Sequence, residues 1–410
     1  MAGECEKRPL GELTENFDSI RVPVKEKDRI KGPYPYYGAS GIVDYVDKHL
    51  FDGEYLLIAE DGENLRTRKT PVAFVAAGKF WVNNHAHIVC GNDQANTRYL
   101  MYALADTDIS GYLTGSTMPK LTQGNMNRIP IVAPSLKIQQ AIACILGALD
   151  DKIELNRQLN RTLEEMARAI FKSWFVNFDP VRAKAAGQQP PGLKPEIAAL
   201  FPDSFEDSEL GEIPKGWCAS TVRQYFRLTM GQSPPGSTYN EIGEGVPFYQ
   251  GRTDFGFRFP TRRVFCTAPT RFAETGDTLV SVRAPVGDLN IANERCAVGR
   301  GVAAIRHRSG SRSFTYYSMN HLGEHFSQFE AEGTVFGCIN KADFERLPFV
   351  VPVPDILAVF DRIVLPLDDR LETNERQSLI LASIRDALLP KLISGELRIA
   401  DAERIAGRLL

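Results

Sequence analysis

The chain has 410 residues, of which 43% are hydrophobic, 10% aromatic and 24% charged. These values are typical of folded globular domains and exclude a mini-protein, a fibrous repeat and general disorder. The 48 basic and 51 acidic residues give a net charge of -3, so any surface for nucleic acid must be local.

The cysteines and the apolar segments indicate where the chain resides. Its seven cysteines include no C-x-x-C pair, which favours a reducing compartment over a disulfide framework or a cysteine zinc site. Residues 1–9 are polar and unlike a signal peptide, and the longest apolar stretch, residues 141–149, is about half of what a membrane span needs. We therefore expect a soluble, cytoplasmic protein.

Residues 1–134 are predicted to form a first β-rich globule, because short runs of β-branched and aromatic residues alternate with turn residues. Arg66, Arg68 and Lys69 form a small basic cluster in it. In the loop 115–120, glycine and small hydroxyl residues such as Thr117 let backbone amides approach a phosphate, and Lys120 would strengthen the grip. An ordinary turn is the alternative.

Residues 135–178 change to helical spacing directly after a proline. A stripe recurs at seven-residue intervals through Ile142, Leu149, Asn156, Leu163 and Ile170. At 1.5 Å per residue a stripe of this length spans about 60 Å, which is longer than one small globule covers. The pattern therefore favours pairing with a second helix over packing on the helix's own globule.

Residues 179–216 are predicted to be an acidic, semi-extended linker. Five prolines lie between residues 187 and 216, where acidic residues outnumber basic ones by six to two.

Residues 217–352 repeat the β-rich texture and carry a local positive charge. Between Gln250 and Arg312 there are eleven arginines, no lysine and five acidic residues, a net charge of +6. Arginine suits bidentate contact with phosphates and guanine edges, although a solvated face of ion pairs has the same composition. The candidate DNA contacts in this globule, including two in or beside the loop 333–338, are Gln250, Arg252, Arg258, Arg262, Arg263, Arg283, Thr334 and Lys341.

Residues 353–395 are predicted to form the second helix, and residues 396–410 a tail that is disordered or adds a brief helix. Its stripe runs through Phe360, Leu367, Asn374, Leu381 and Leu388. In an antiparallel pair, Asn156 and Asn374 would fall in one layer, where their amides could hydrogen-bond and fix the register. The alternative is that each asparagine is solvated on a flank.

An internal repeat relates the two halves. At an offset of 218 residues, Tyr99 corresponds to Tyr317, Asp150 to Asp368 and Asn156 to Asn374. We therefore predict an α+β fold, in which two β-rich globules alternate with two long helices that pair as an antiparallel coiled coil about a pseudo-twofold axis.

Catalytic motifs are mostly absent: there is no P-loop, no G-x-G-x-x-G motif in a strand-turn-helix context and no nucleophile elbow. His321, Glu324 and His325 match an H-x-x-E-H zinc pattern, but no obvious third ligand follows at helical distance and the repeat lacks both histidines. His85 and His87 also lack further ligands nearby. We expect neither a metal site nor a catalytic residue.

The order of these parts resembles the specificity subunit of type I restriction-modification enzymes. The resemblance is carried by residues 34–41 (YPYYGASG), 50–55, 128–130, 136–175 and 208–217, and it covers nearly the whole chain.

This resemblance implies that each globule is a target recognition domain for one half of an asymmetric, bipartite DNA site, with the coiled coil setting the spacer. Tyr36 and Tyr37, in the matching segment, become candidate DNA contacts. The implied partners are double-stranded DNA, two methylation subunits with S-adenosylmethionine and two restriction subunits with ATP and Mg. The chain itself would then be non-catalytic and bind no cofactor.

Two other functions stay open on the sequence. One is a zinc enzyme that uses His321, Glu324 and His325. The other is a coiled-coil adaptor without DNA specificity.

Overall fold

The computed structural model describes residues 6–329 and 337–408. They form a mixed helix-and-strand protein, as predicted, that divides into two compact units. Unit 1 comprises Met1–Arg157 and Arg376–Leu410, and unit 2 comprises Gln158–Glu375.

Unit 1 is built on a six-stranded sheet in the order β2-β7-β5-β6-β3-β4, with a separate antiparallel pair β1-β8. The strands are β1 (Lys7–Pro9), β2 (Thr14–Asn16), β3 (Tyr34–Gly38), β4 (Gly41–Val46), β5 (Phe51–Ala59), β6 (Ala73–Val82), β7 (Ala86–Gly91) and β8 (Pro130–Val132). The short helices are α1 (Leu10–Leu13), α2 (Asn64–Thr67), α3 (Thr97–Asp106) and α4 (Gln123–Asn127). Among the described strands of unit 1, only β3 and β6 pair in parallel.

The central strand β5 shows why this sheet forms. Leu56 and Ile58 belong to the main core of unit 1, whereas Leu57 lies in a second cluster with Phe51 and Phe80. Because successive side chains of a strand point to opposite faces, this apolar run buries both faces of the sheet.

Two helices of 40 residues follow the β-rich regions: α5 (Leu136–Phe175), and a helix at Pro354–Ile393 in the second half. In unit 1, Ile142, Leu149, Leu381 and Leu388 share one core with the β-rich region. In unit 1 the stripe residues of both helices therefore lie in the same core as the β-rich region. Packing on the globule and packing against the other helix, given above as alternatives, occur together there.

Within each unit the two long helices contact each other in opposite chain directions. In unit 1, Arg385 Nη1 lies 2.6 Å from Asp150 Oδ1, and Asn156 Nδ2 donates to Gln377 Oε1 at 3.1 Å. In unit 2, Asn374 Nδ2 donates to Asn160 Oδ1 at 2.8 Å, and the ring centroids of Phe171 and Phe360 lie 5.9 Å apart. Residue numbers thus rise along one helix as they fall along the other.

Unit 2 contains two larger sheets, in the orders β12-β20-β17-β18 and β13-β15-β14-β19-β16, and two antiparallel pairs, β9-β10 and β11-β21. Its helices are α6 (Asp179–Ala185), α7 (Pro195–Ala198), α8 (Val222–Tyr225), α9 (Arg312–His321), α10 (Gly323–Ser327) and α11 (Lys341–Arg346). Its strands are β9 (Phe205–Ser208), β10 (Gly211–Pro214), β11 (Cys218–Thr221), β12 (Phe226–Met230), β13 (Tyr239–Asn240), β14 (Val246–Tyr249), β15 (Phe265–Cys266), β16 (Phe272–Ala273), β17 (Thr278–Val282), β18 (Val286–Ile291), β19 (Cys296–Val298), β20 (Val302–His307) and β21 (Pro348–Val351). The helix Pro354–Ile393 is α12.

The segment 179–216 is not the semi-extended linker that its composition predicted. It contains α6, α7 and the hairpin β9-β10. The physical reason is that Val181, Phe201 and Ile213 are buried in the core of unit 2. These apolar side chains offset the ordering cost of a proline-rich, acidic segment.

The C-terminal tail adds one short helix, α13 (Ile399–Ala406), whose Ala402 and Ala406 are buried in the core of unit 1. Among the described residues, no helix combines the length and the apolar character that crossing a membrane requires.

Candidate nucleic-acid interface

The loop 114–120 of unit 1 is a tight turn closed by its own backbone. Thr114 N donates to Lys120 O at 2.8 Å, and Lys120 N donates to Thr114 O at 2.7 Å. Gly115 has φ +86°, and a Cβ there would lie 2.2 Å from Met118 O, so only glycine fits. Thr117 and Met118, at the tip, are exposed.

Two basic side chains hold this loop. Arg66 Nη2 donates to Gly115 O at 2.9 Å and to Ser116 O at 3.1 Å, and Lys120 Nζ lies 3.2 Å from Glu60 Oε1. About half of each side chain stays exposed, 42% for Arg66 and 50% for Lys120. Lys69, three residues after Arg66 in the chain, is also exposed. Two cations thus hold a loop whose backbone is fixed.

Arg68 is partly buried and caps the end of a helix, so its guanidinium already has partners, and its role as a DNA contact stays a prediction. Its guanidinium donates to the carbonyl oxygens of Leu104, Ala105 and Thr107 at 2.7 to 3.1 Å, at the C-terminal end of α3. These carbonyls are among those that a helix end leaves unpaired, and the negative end of the helix dipole favours a cation there.

A buried charge cluster lies under the loop 114–120, and the sequence reasoning missed it. His87 is 2% exposed; its Nδ1 lies 2.6 Å from Asp18 Oδ2 and its Nε2 lies 2.8 Å from Leu121 O. Because both oxygens only accept, both ring nitrogens must donate, so the ring is an imidazolium when Asp18 is ionised. Glu60 joins the cluster to Lys120 and also accepts from Arg21 Nη1 at 2.8 Å.

The electrostatics of this cluster agree with a charged His87. Burial alone would lower the pKa of His87, but its hydrogen bonds and the nearby carboxylates of Asp18 and Glu60 outweigh burial and raise the pKa above its usual range. His85, by contrast, is exposed and lies 2.8 Å from Asp61. The sequence offered one signal for this buried charge cluster, which is that His87 lies among the apolar residues of a predicted strand.

Tyr36 and Tyr37 support the sheet of unit 1 instead of presenting a free surface. Tyr36 is 1% exposed, and its hydroxyl accepts from Val24 N at 3.0 Å. The half-buried ring of Tyr37 packs against Phe74 and Phe80 with centroids 5.6 and 5.5 Å away. The assignment of Tyr36 as a DNA contact is corrected, because a buried ring cannot reach a duplex.

The arginine cluster of unit 2 separates into three classes. Seven of its eleven members have a carboxylate within 4 Å: Arg252, Arg258, Arg262, Arg263, Arg295, Arg306 and Arg312. Arg308 donates to backbone carbonyls. For the other three, Arg271, Arg283 and Arg300, no carboxylate of the described residues comes within ion-pair distance, and all three are exposed. Composition alone could not separate these classes.

Arg258 is buried, which corrects its assignment as a DNA contact. It is 1% exposed; its Nη1 lies 3.0 Å from Asp368 Oδ1 and its Nη2 lies 3.6 Å from Glu164 Oε2. Nη2 also donates to Tyr317 Oη at 3.1 Å, and the guanidinium lies 3.9 Å above the Tyr316 ring. Since Glu164 is on α5 and Asp368 on α12, Arg258 ties the β-rich region of unit 2 to both helices.

The exposed, unpaired arginines border one place in unit 2, where β12, β14, β17 and β19 all end. We define the junction surface as five exposed residues: Gln232, Gln250, Arg283 and Arg300, which follow these four strands, and Arg271, which directly precedes β16. Backbone hydrogen bonds join their loops: Gln232 N to Val298 O, Val298 N to Arg271 O, Gly301 N to Gln250 O and Val282 N to Gly301 O, all 2.9 to 3.0 Å. The sequence named Gln250 and Arg283 as contacts, indicated Arg271 and Arg300 only as members of the arginine cluster, and gave no signal for Gln232.

The remaining candidates of unit 2 lie nearby or outside the described residues. Arg283 forms a backbone bridge with Cys338, three residues before Lys341. Lys341 is 59% exposed and lies 3.6 Å from Glu345. Thr334 lies outside the described residues.

Asn156 and Asn374 are buried at 2% and 0% exposure, so neither is solvated on a flank. Besides the contacts given above, Asn156 Nδ2 donates to Ser378 Oγ at 3.3 Å. Their role in fixing the helix register stays a prediction.

The described residues contain no group of three or more His, Cys, Asp or Glu side chains that could hold a metal ion. His321 ends α9 and His325 lies in α10, so the two residues are not on one continuous helix.

Comparisons with known proteins cover the first part of the chain in one case and most of the chain in others. A family model described as the type I restriction modification DNA specificity domain matches residues 3–165. The chain is 25% identical to the type I restriction enzyme MjaIX specificity subunit of Methanocaldococcus jannaschii, with 97% of each chain covered. It is 26% identical to the type I restriction enzyme HindI specificity subunit of Haemophilus influenzae, with 87% of each covered.

The fold is similar to that of a solved structure. The crystal structure of a type I restriction-modification system S subunit from M. genitalium superposes with a TM-score of 0.60, covering 94% of this chain and 95% of that one. At 18% sequence identity, this likeness concerns the fold alone.

Proposed function

We propose that this chain, which is similar over most of its length to type I restriction-modification specificity subunits, recognises DNA sequence and that its two units read two separate parts of one DNA site. The observation that carries this proposal is the junction surface of unit 2. Three exposed arginines without a carboxylate partner among the described residues lie there beside two exposed glutamines. Arginine and glutamine are side chains that bind phosphates and base edges.

The two parts of the site should differ. Unit 1 has one six-stranded sheet and offers Arg66, Thr117 and Lys120 at a fixed loop as well as the exposed Lys69, whereas unit 2 has two larger sheets and an arginine-rich junction. Because different side chains present different hydrogen-bond patterns, a symmetric site would not suit both units. We therefore infer an asymmetric, bipartite site.

We also infer that the long helices form an antiparallel coiled coil about a pseudo-twofold axis and that it sets the spacer. The opposite chain directions of the helices in each unit support this, as do the buried asparagines at equivalent positions of the repeat. The antiparallel pair β1-β8 of unit 1 also has a counterpart in β11-β21 of unit 2, and each pair is linked to the following long helix.

The chemistry would reside on other subunits. Specificity subunits are non-catalytic recognition components, and we propose that this one assembles with two methylation subunits and two restriction subunits. S-adenosylmethionine, ATP and Mg would bind those partners, and the exposed flanks of the helices would receive the methylation subunits. Since host DNA is the target, the complex would work in the cytoplasm.

The two alternatives lack support. A zinc enzyme would need ligands that converge, and His321 and His325 lie on separate helices without a third ligand among the described residues. An adaptor without DNA specificity would not need unpaired arginines gathered at strand ends.

Sequencing the adenine methylation of a host genome tests the proposal. Cells that express the full chain with its methylation subunit should show one bipartite, asymmetric motif, which disappears when the gene for this chain is deleted. The matched control is the methylation subunit expressed alone. A methylome that is unchanged by the deletion would sink the proposal.

A further inference from the structure

We infer that the junction surface of unit 2 reads base edges, with Arg300 as the residue that selects a guanine in one half of the DNA site. This inference rests on the proposed function and names residues for it. The other exposed arginines of the cluster would then serve structure or the general charge of the domain.

Arg300 is free of carboxylate partners among the described residues, whereas neighbouring arginines of the cluster are not. Arg262 is held at both donor groups by Glu294, with Nη2 2.8 Å from Oε2, and Arg263 is held similarly by Asp254, with Nε 2.7 Å from Oδ1. To bind a guanine, such a side chain must first release charge-assisted hydrogen bonds and leave a carboxylate facing the negatively charged duplex. No carboxylate among the described residues holds Arg300, so it could bind a guanine without releasing an ion pair and without leaving such a carboxylate to face the duplex.

The backbone that carries Arg300 is held in place by hydrogen bonds. Arg300 occupies the turn between β19 and β20, where its own N donates to Ser233 Oγ at 3.2 Å. Its neighbours are also fixed, since Gly299 N donates to Tyr249 O at 2.8 Å and Gly301 N donates to Gln250 O at 3.0 Å. The turn therefore gives the arginine a defined starting point, which direct readout requires.

Glycines make this close approach possible. A Cβ on Gly231 would lie 2.1 Å from Gly299 O, and a Cβ on Gly301 would lie 2.3 Å from Gln250 O. No side chain fits at such distances, so glycine at these positions brings three loops into backbone contact. As a result, Gln232, Gln250 and Arg300 are carried by one connected scaffold.

The side chains of the junction surface are of the types that bind bases and phosphates. Arginine contacts guanine O6 and N7 with two donors, and glutamine pairs with adenine N6 and N7. Arg271 and Arg283 flank the scaffold and could bind phosphates, which position the protein without selecting a base. The junction surface thus has the groups for a short purine-containing half-site.

The test uses the full chain in complex with its methylation subunit. The motif is first defined by the wild-type methylome. Binding of the complex is then measured for DNA that carries the motif and for every single-base substitution of it. The variants are Arg300→Ala, Arg300→Lys and, as a matched control, Arg223→Ala, an exposed arginine of α8 near the other end of β12.

For Arg300→Ala and Arg300→Lys we expect discrimination at one guanine of one half-site to fall about 5- to 150-fold, the range of a bidentate contact. Lysine keeps the charge but cannot form that contact. Arg223→Ala should leave every ratio unchanged, and the other half-site should stay intact in all variants.

Two outcomes would overturn the inference. One is unchanged discrimination at every position; the other is weaker binding to all sequences that Arg300→Lys restores, which marks a phosphate contact. Both leave the proposed function standing, whereas a wild-type complex without any bipartite motif refutes the proposed function itself. If Arg300→Ala fails to fold, Arg300→Lys alone decides.

Discussion

Removing Arg258 should destabilise unit 2 far more than removing an exposed arginine of the same cluster. Arg258→Met would delete the partner of Asp368, which is 3% exposed, and the guanidinium 3.6 Å from Glu164, which is 8% exposed. Methionine keeps a long apolar stem but supplies no charge. Asp368 would then be a buried carboxylate without a cation, whereas Glu164 would keep Arg168, whose Nη2 lies 2.7 Å from Glu164 Oε1.

The loss of stability expected for Arg258→Met can be estimated from the burial of its ion pair. Breaking a buried ion pair by removing one partner costs about 3–5 kcal/mol, because the remaining charge is left uncompensated. Ser313 and Tyr317 still donate to Asp368, at 2.6 and 2.9 Å, which places the expected loss near the lower end. For a unit of this size, 1 kcal/mol corresponds to about 2–4 °C, so a loss of about 3 kcal/mol should lower the melting temperature of unit 2 by about 6–12 °C.

Tryptophan fluorescence can report unit 2 alone. The chain has three tryptophans, of which Trp174 and Trp217 are buried in the core of unit 2 and Trp81 lies in unit 1. Thermal unfolding of the full chain in a Trp81→Phe background therefore follows unit 2. The matched control is Arg262→Ala, which removes a 60% exposed arginine from its pair with Glu294 and should cost at most about 1 kcal/mol.

Equal melting temperatures for Arg258→Met and Arg262→Ala would refute this reasoning, because the buried and the exposed pair would then contribute alike. A combined replacement of Arg258, Glu164 and Asp368 by apolar residues separates charge from packing. It should recover much of the lost stability, since a buried ionic triad is often no more stabilising than apolar residues of similar volume.

Three further predictions concern unit 1 and the helices. The raised pKa of His87 means that its stabilising contribution is fully present below the ordinary histidine pKa, about 6.5, and is lost as the pH rises through the raised value; calorimetry should show this decline in unit 1, and His87→Gln should remove it. Gly115→Ala places a Cβ 2.2 Å from Met118 O at φ +86° and should weaken recognition of the unit 1 half-site only, as measured by single-base substitutions. Asn156→Leu should stabilise the helix pair against denaturant while loosening its register, seen as heterogeneous cross-links between engineered cysteines; a simple loss of stability would contradict its core placement.

The helices could be predicted closely because their signal is local. The predicted spans 135–178 and 353–395 compare with Leu136–Phe175 and Pro354–Ile393 in the structure. A 3.6-residue period with a proline at the start is contained in the segment itself. The mixed β-rich texture of the globules was equally legible, although the division of unit 2 into two larger sheets was not.

The site could be predicted only in part, because partners distant in the chain decide which cations are free. Arg258 meets Asp368 across 110 positions, and Arg262 meets Glu294 across 32. Composition counts both arginines as positive surface charge, whereas the fold buries one and pairs the other. The same reason explains Arg68, whose acceptors lie 36 to 39 positions away at the end of α3.

The duplicated aspartates suggest how recognition regions can diverge on a repeated frame. In unit 1, Asp150 of α5 accepts from Tyr102 of α3 and from Arg385; in unit 2, its repeat equivalent Asp368 accepts from Tyr317 of α9 and from Arg258. The acid on the long helix and a tyrosine on the short helix recur in both units. The arginine does not, since Arg385 belongs to the partner helix and Arg258 to a loop of the β-rich region. The helix carboxylate needs a cation, but this cation can come from the partner helix or from a loop of the β-rich region. The β-rich region can therefore change in sequence while it stays attached to the long helices.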